Sequence, residues 1–124
     1  MELPLEYRWL KAHKFEGLTP WYFIGSEEVE GLRREYQIET EQDLFPFARR
    51  QDNDDIAGFE IKNGTISSKI ITVHLTWTTK RELKVYQNSK ISTDIFEWLT
   101  KIVIPASKDW MTEADLADIK LRNS

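Results

Sequence analysis

The sequence contains no cysteine, only five glycines and four prolines, and no long apolar run. Without cysteine there are no disulfides, thiolate zinc sites or cysteine nucleophiles, and the chain suits a reducing compartment. Its longest apolar stretches have the length of strands, far below the about 18 residues that a membrane-spanning helix needs. Charged residues interrupt the apolar ones from the second position, so we expect no secretory signal. These absences predict a soluble cytoplasmic protein that does not bind membranes.

The composition suits a single small domain. The chain has 124 residues, a common domain size, and its five Trp, six Phe and four Tyr supply much of a core, so we predict one domain over residues 1–124. Its 21 acidic and 17 basic residues give a net charge of -4. Nucleic-acid binders gain most of their affinity from Lys and Arg, so this balance argues against a nucleic-acid partner. A protein partner with a basic patch fits better, although a mildly acidic surface is also ordinary.

The N-terminal third predicts a helix, a strand and a second helix. Apolar residues at near-helical spacing, including Leu5 and Trp9, predict a short helix between residues 4 and 15. The aromatic segment from Trp21 to Ile24 is typical of a strand. Acids that follow a capping serine predict a helix from Ser26 to about Tyr36.

The centre of the chain predicts an antiparallel meander. Apolar and polar residues alternate over residues 57–62, and Asn63-Gly64 is a strong hairpin signal. The cleanest strand pattern begins at Ile71 and includes Trp77, which we assign to packing in the core. A further strand is predicted from Leu83 to about Gln87.

The C-terminal part predicts two helices. Asp94 with Glu97 is typical of a capping box at the start of the first helix, and Pro105 is predicted to end it. The second helix is predicted to start at Thr112, with Leu116 and Ile119 inward. The whole order predicts an α+β fold, a mainly antiparallel sheet with helices packed on one face.

The segment from Asp43 to Ile61, DLFPFARRQDNDDIAGFEI, places three aspartates in a turn between two apolar stretches. This aspartate turn, Asp52, Asp54 and Asp55, has the start of a calcium-loop pattern, but the twelfth position is Asn63 instead of a bidentate acid. A solvated turn, in which Asp and Asn side chains bond nearby amides, is the favoured interpretation. A third interpretation makes the turn part of a surface that meets basic residues of a partner.

No catalytic or metal site is predicted, because the two histidines, His13 and His74, lie in no recognisable nucleophile or metal motif. Trp21 and Tyr22 are adjacent in a predicted strand, so they face opposite sides of the sheet. If one face is uncovered, one of these aromatics and the threonines around His74 would form a flat surface suited to a partner. The predicted partner-binding residues are Asp52, Asp54, Asp55, Trp21, Tyr22 and His74.

Residues 43–103 resemble the SMI1/KNR4 (SUKH) superfamily. The matching residues are Phe45, Pro46, Phe47 and Ala48, then Asp55, then Val85 and Tyr86, and finally Phe96, Glu97, Trp98 and Leu99. Family members usually carry a longer helical N-terminal region and a glycine-rich acidic turn, so the chain resembles a short or divergent member. The resemblance implies a non-enzymatic protein, most often a bacterial immunity protein that neutralises a toxin, with fungal members that regulate cell-wall synthesis.

The leading hypothesis is therefore a cofactor-free binding protein that occludes a toxin domain with a basic surface, by electrostatic steering and a desolvated aromatic centre. One alternative is a small divalent-metal-binding domain, or a metal-dependent enzyme, that uses Asp52, Asp54 and Asp55. Another is a regulatory interaction module without a toxin partner.

Overall fold

Five strands and four helices form the fold in the computed structural model, which describes residues 2–77 and 89–123. The strands are β1 (Trp21–Phe23), β2 (Asp43–Arg50), β3 (Asp55–Lys62), β4 (Thr65–His74) and β5 (Lys90–Ser92). The helices are α1 (Leu5–Ala12), α2 (Ser26–Thr40), α3 (residues 95–110) and α4 (Glu113–Arg122). None of the helices within the described ranges is long and apolar enough to cross a bilayer.

The strands pair antiparallel in chain order, β1-β2-β3-β4-β5. The predicted α+β class and the antiparallel meander are therefore confirmed. The turn between β3 and β4 pairs Lys62 with Thr65, and Asn63 and Gly64 have φ values of 52° and 77°. Positive φ at both central residues is the geometry that Asn-Gly favours, so the predicted hairpin is confirmed as well. The strand predicted from Leu83 to Gln87 lies outside the described residues.

Both faces of the sheet are apolar and both are covered. One face, here called the aromatic face, packs against α1 and α3. The other, the aliphatic face, packs against α2. The helices thus cover two faces where the sequence pattern predicted one, because β2, β3 and β4 place large apolar side chains on alternate sides. The buried residues of the aromatic face include Trp21, Phe47, Phe59, Ile70 and Trp98, and those of the aliphatic face Leu32, Tyr36, Leu44, Ile56, Ile71, Val73 and Leu75.

Helix α1 turns a different side to the core than its spacing predicts. Tyr7 and Leu10 are buried, whereas Leu5 and Trp9 are exposed. The Tyr7 ring lies 5.4 Å from the Phe47 ring and 5.6 Å from the Phe59 ring, both edge to face. Packing against existing aromatic rings therefore decides the orientation of this helix.

Helix α2 continues to Thr40, past the predicted end near Tyr36. The Thr40 hydroxyl donates to the Tyr36 carbonyl at 2.7 Å, and the helix ends at Glu41, whose φ is 59°. The N-cap is Gly25, not the predicted Ser26.

Helix α3 runs through Pro105, which was predicted to end it. An α-helical turn, Ile95–Trp98, leads into a π-helical segment, Leu99–Val103, and the α-helix resumes over Ile104–Trp110. The wider π turn just before the proline relieves the clash between its ring and the carbonyl one turn earlier, so the helix continues. The predicted start is confirmed, since the Asp94 carboxylate accepts from the Glu97 amide at 2.9 Å.

Trp77 does not pack in the core as predicted. Strand β4 ends at His74, and Trp77 follows with a φ of 55° and half of its surface exposed. Leu75 is the last buried residue of the alternating pattern, since strand β4 has already ended at His74.

Candidate functional site

The aspartate turn compensates its own charges. Asp52 accepts two hydrogen bonds from Arg50, at 2.6 Å from Nε and 3.2 Å from Nη2. Asp54 lies 3.6 Å from the Arg49 guanidinium. The hydrogen bonds from Arg50 hold the pKa of the Asp52 carboxyl below its usual range. The two arginines that precede the turn therefore offset part of the negative charge of Asp52 and Asp54, and Arg49 also pairs with Glu28 at 3.4 Å.

The remaining aspartate contacts a histidine instead of a metal. His74 Nδ1 lies 2.9 Å from the Asp55 carboxylate across paired strands. Asn53 Oδ1 accepts from the Asp55 amide at 2.8 Å, the local side-chain bond that the solvated-turn interpretation predicts. Within the described residues, no group of three or more His, Asp or Glu is arranged to hold a metal ion.

The two adjacent aromatics of β1 face opposite sides, but both sides are covered. Trp21 is 2 % exposed and its ring lies 5.4 Å from that of Trp98. Tyr22 is partly buried against the aliphatic face. Trp21 is thus a core residue with almost no surface that a partner could contact.

A concave surface lies between the aromatic face of the sheet and α3. This charged cleft, about 420 Å³ in volume, brings together three of the predicted site residues, Trp21, Asp55 and His74. The other lining residues are Arg50, Thr72, Val73, Lys90, Lys101, Ile102, Pro105, Ala106 and Asp109. Sequence reasoning missed its lysines and Asp109, because only the pairing of β5 with β4 and the passage of α3 over the sheet bring them here.

The threonine side of β4 is covered rather than open. Thr72 is buried, and its hydroxyl oxygen accepts a hydrogen bond from Trp98 Nε1 at 3.1 Å. Helix α3 therefore sits on the part of the sheet that was expected to form a flat binding surface. What stays accessible there is the charged cleft beside the helix.

A second concave surface lies at the C-terminal helix. This apolar groove, about 600 Å³ in volume, has a mostly apolar lining. Leu116 and Ile119, predicted to face inward, line the groove, and α4 has no buried residue along Glu113–Arg122. The lining residues are Leu18, Thr19, Ser107, Met111, Thr112, Glu113, Asp115, Leu116 and Ile119.

The polar groups of the apolar groove are acidic or neutral. Glu113 and Asp115 contribute carboxylates, and no basic residue is among its described lining. The Ser107 hydroxyl is buried and has no hydrogen-bond partner in the described chain. Asp115 also fixes the start of α4, since its amide donates to Thr112 Oγ1 at 3.0 Å and its carboxylate accepts from Trp110 Nε1 at 3.3 Å.

Two glutamates on α2 form a carboxyl pair apart from both concave surfaces. Glu39 is buried and accepts from the Thr76 amide, the Thr76 hydroxyl and the Trp77 amide at 2.7 to 3.0 Å. Burial and the contact with Glu39 raise the pKa of Glu35 to about 7. Burial alone would raise the pKa of Glu39 as well, but hydrogen bonds from Glu35 and from residues 76–77 lower it. These pKa shifts favour a proton shared between the two carboxyl groups, and the hydrogen bonds of Glu39 tie α2 to the end of β4.

No family model matches the chain, and neither the curated proteins nor the solved structures include one that matches it.

Proposed function

We propose that this chain is a non-enzymatic protein-binding domain that neutralises a partner by covering its functional surface. The resemblance of residues 43–103 to the SMI1/KNR4 (SUKH) superfamily supports this proposal. On that basis the partner is a bacterial toxin domain with a basic surface, and the chain acts as its immunity protein in the cytoplasm.

The observation that carries the proposal is the apolar groove with its acidic rim. Leu116 is 45 % exposed and Met111 is 67 % exposed, although both are large apolar side chains that favour burial. A concave apolar surface edged by polar groups is typical of the centre of a protein interface. Glu113 and Asp115 add negative charge at its edge, which favours a partner with Lys or Arg around an apolar anchor.

The groove is a better binding surface than the aspartate turn. Asp52 and Asp54 already contact Arg50 and Arg49, so their charges are available only in part to a basic partner. Binding there would have to disrupt or share existing ion pairs. No observation of the described residues favours the metal-dependent alternative, whose three aspartates contact separate partners.

The first test is whether a gene next to this one encodes a toxin domain, and the second is co-expression of the chain with that domain. We expect the chain to restore growth of cells that produce the toxin and to form a stoichiometric complex with it. Leu116→Asp places a charge in the groove and should abolish both effects. Leu121→Asp is the matched control, because Leu121 lies on the same helix, is 74 % exposed and is not among the groove residues.

Two results would contradict the proposal. If the purified chain does not bind the toxin and gives no protection, the immunity function is wrong. If binding occurs but Leu116→Asp and Leu121→Asp behave alike, the groove is not the contact surface. Identification of a non-toxin partner that requires Leu116 would replace the immunity function by the regulatory alternative.

A further inference from the structure

Helix α1 presents a second apolar surface, on the side that faces away from the core. Leu5 is 67 % exposed and Trp9 is 54 % exposed, whereas Tyr7 and Leu10 of the same helix are buried against the aromatic face. Ala12, also exposed, continues the stripe. The three exposed residues have the spacing i, i+4 and i+7, which is typical of the anchors of a helix that occupies an apolar groove. The outer side of α1 therefore has the pattern of a groove-binding helix.

The apolar groove beside α4 is complementary to this side of α1. It is concave, about 600 Å³ in volume and mostly apolar, which is enough room for an indole ring and an aliphatic side chain. The charged residues of its described lining are Glu113 and Asp115. The charged residues next to Trp9 on exposed positions of α1 are basic, Arg8 and Lys11. Apolar side chains can thus enter the groove while opposite charges meet at its edge.

The contacts that α1 already makes leave this surface open. Arg8 Nε donates to the Leu3 carbonyl at 2.9 Å, and Arg8 Nη2 lies 3.4 Å from a Glu2 carboxylate oxygen in an exposed pair that solvent screens. A guanidinium has several N–H donors, so Arg8 can still contact a carboxylate of a partner. The Trp9 ring lies 4.2 Å from the His13 ring, a contact that leaves more than half of the Trp9 surface exposed.

We propose that the chain self-associates, with α1 of one copy docked in the apolar groove of a second copy. The buried side of α1 holds the helix on its own sheet with the outer side toward solvent, so the groove that receives it belongs to another molecule. Leu5 and Trp9 are the anchors, and Leu116 lies in the receiving groove. Each copy carries both surfaces, so the association can close as a dimer or extend as a row of copies. The contact is small, and we expect a dissociation constant of about 10 to 100 µM.

The inference shares the apolar groove with the proposed function but needs no toxin, so it is tested on the purified chain alone. Sedimentation equilibrium should give an average mass that rises above that of one chain over about 10 to 100 µM. Trp9→Ser removes the main anchor and should weaken self-association by about tenfold or more. Phe96→Ser is the matched control, because this aromatic ring is 49 % exposed on another helix and lies outside both α1 and the groove.

A mixing experiment identifies the two surfaces. Leu116→Asp places a charge in the groove and should also weaken self-association by about tenfold or more, whereas the control Leu121→Asp should not. The Trp9→Ser chain keeps an intact groove, and the Leu116→Asp chain keeps an intact α1. A mixture of these two chains should therefore associate at concentrations at which neither associates alone.

Three results would overturn the inference. They are a mass of one chain at every concentration up to roughly 1 mM, equal self-association of Trp9→Ser and Phe96→Ser, and no association in the mixture of Trp9→Ser with Leu116→Asp. None of these results bears on the proposed function, which depends on the groove alone and is measured with the toxin.

Discussion

The two faces of the sheet are held by different physical means. On the aromatic face, Tyr7, Phe47, Phe59 and Trp98 form a cluster in which the Phe47 and Phe59 rings stack at 4.6 Å and Phe47 meets Trp98 edge to face at 5.1 Å. This face depends on buried area and ring geometry, neither of which titrates.

The aliphatic face combines packing with charged contacts from a single helix. Arg33 of α2 forms two hydrogen bonds with Asp43 of β2, at 2.7 and 2.8 Å, and Glu39 fastens the end of β4. Because the side chains that hold α2 to the sheet are ionisable, the stability of that packing should depend on pH. The packing of α1 and α3 on the aromatic face should not. The comparison predicts a fold whose two sides respond differently to mutation and to pH.

The largest expected effect is on the aromatic face. Phe47→Ala removes a fully buried ring that contacts several others and should lower the free energy of unfolding by about 3 to 5 kcal/mol. Leu44→Ala is the matched change on the aliphatic face, and it should cost less because it removes a smaller buried side chain. Urea denaturation measures both. A larger loss of unfolding free energy in Leu44→Ala than in Phe47→Ala would contradict the expected difference between the two faces.

The next largest effect is expected for Glu39, which connects α2 to the end of β4 on the aliphatic face. Glu39→Ala leaves the Thr76 and Trp77 amides without their acceptor and should cost about 2 to 3 kcal/mol at neutral pH. Glu30→Ala, an exposed change on the same helix, should stay within about 0.5 kcal/mol. Equal losses in the two variants would show that helix propensity, and not the buried carboxylate, determines the result.

Local sequence patterns predicted the strands of the sheet better than the helices that pack on it. Alternation over residues 57–62 and the Asn63-Gly64 turn specify β3 and the hairpin, because strand period and turn chemistry are properties of neighbouring residues. The exposure of Trp9 depends on long-range packing, which no short segment encodes. Helix α3 continues through Pro105 because a π-helical turn precedes the proline, and the apolar spacing did not predict that turn.

The candidate site shows the same division. The hydrogen bond that the Asp55 amide donates to Asn53 Oδ1 is local and was predictable. The contact between Asp55 and His74 and the position of Lys90 in the charged cleft were not predictable, since both depend on the register of paired strands. The apolar groove could have been suspected from Met111 and Leu116, apolar residues of a short amphipathic segment, but only the tertiary structure shows that nothing in the described chain buries α4.

A pH-dependent prediction tests whether the carboxyl pair belongs to the aliphatic face. The pKa of Glu35 is about 7 in the folded state, above its ordinary value, so folding binds a proton between these two values. Stability from this group is full at acidic pH and is lost as the pH rises toward and past 7. Glu35→Gln keeps a donor for Glu39 without ionising, so it should stabilise the fold by about 1 to 2 kcal/mol near pH 8 and leave it nearly unchanged near pH 4.

The control for this prediction is Glu27→Gln, an exposed change in the first turn of the same helix. It removes a favourable helix-dipole contact and should not stabilise the fold at any pH. Thermal unfolding as a function of pH measures both variants. Stabilisation of equal size at pH 4 and pH 8 would contradict a shared proton between Glu35 and Glu39.

The smallest effect is expected for the ion pair that ties α2 to β2. Arg33 and Asp43 are each partly exposed, so solvent screens their attraction, and Arg33→Met should cost only about 0.5 to 1 kcal/mol at neutral pH. Arg33 holds the pKa of Asp43 below its ordinary value, so the pair's contribution is present above that value and disappears on acidification. The loss caused by Arg33→Met should therefore shrink at low pH, while the exposed control Arg34→Met changes little at any pH. If the loss of unfolding free energy caused by Phe47→Ala varied with pH in the same way as the loss caused by Arg33→Met, the two faces would not differ in their response to pH. The distinction between a face held by ring packing and a face held by ionisable groups would then be wrong.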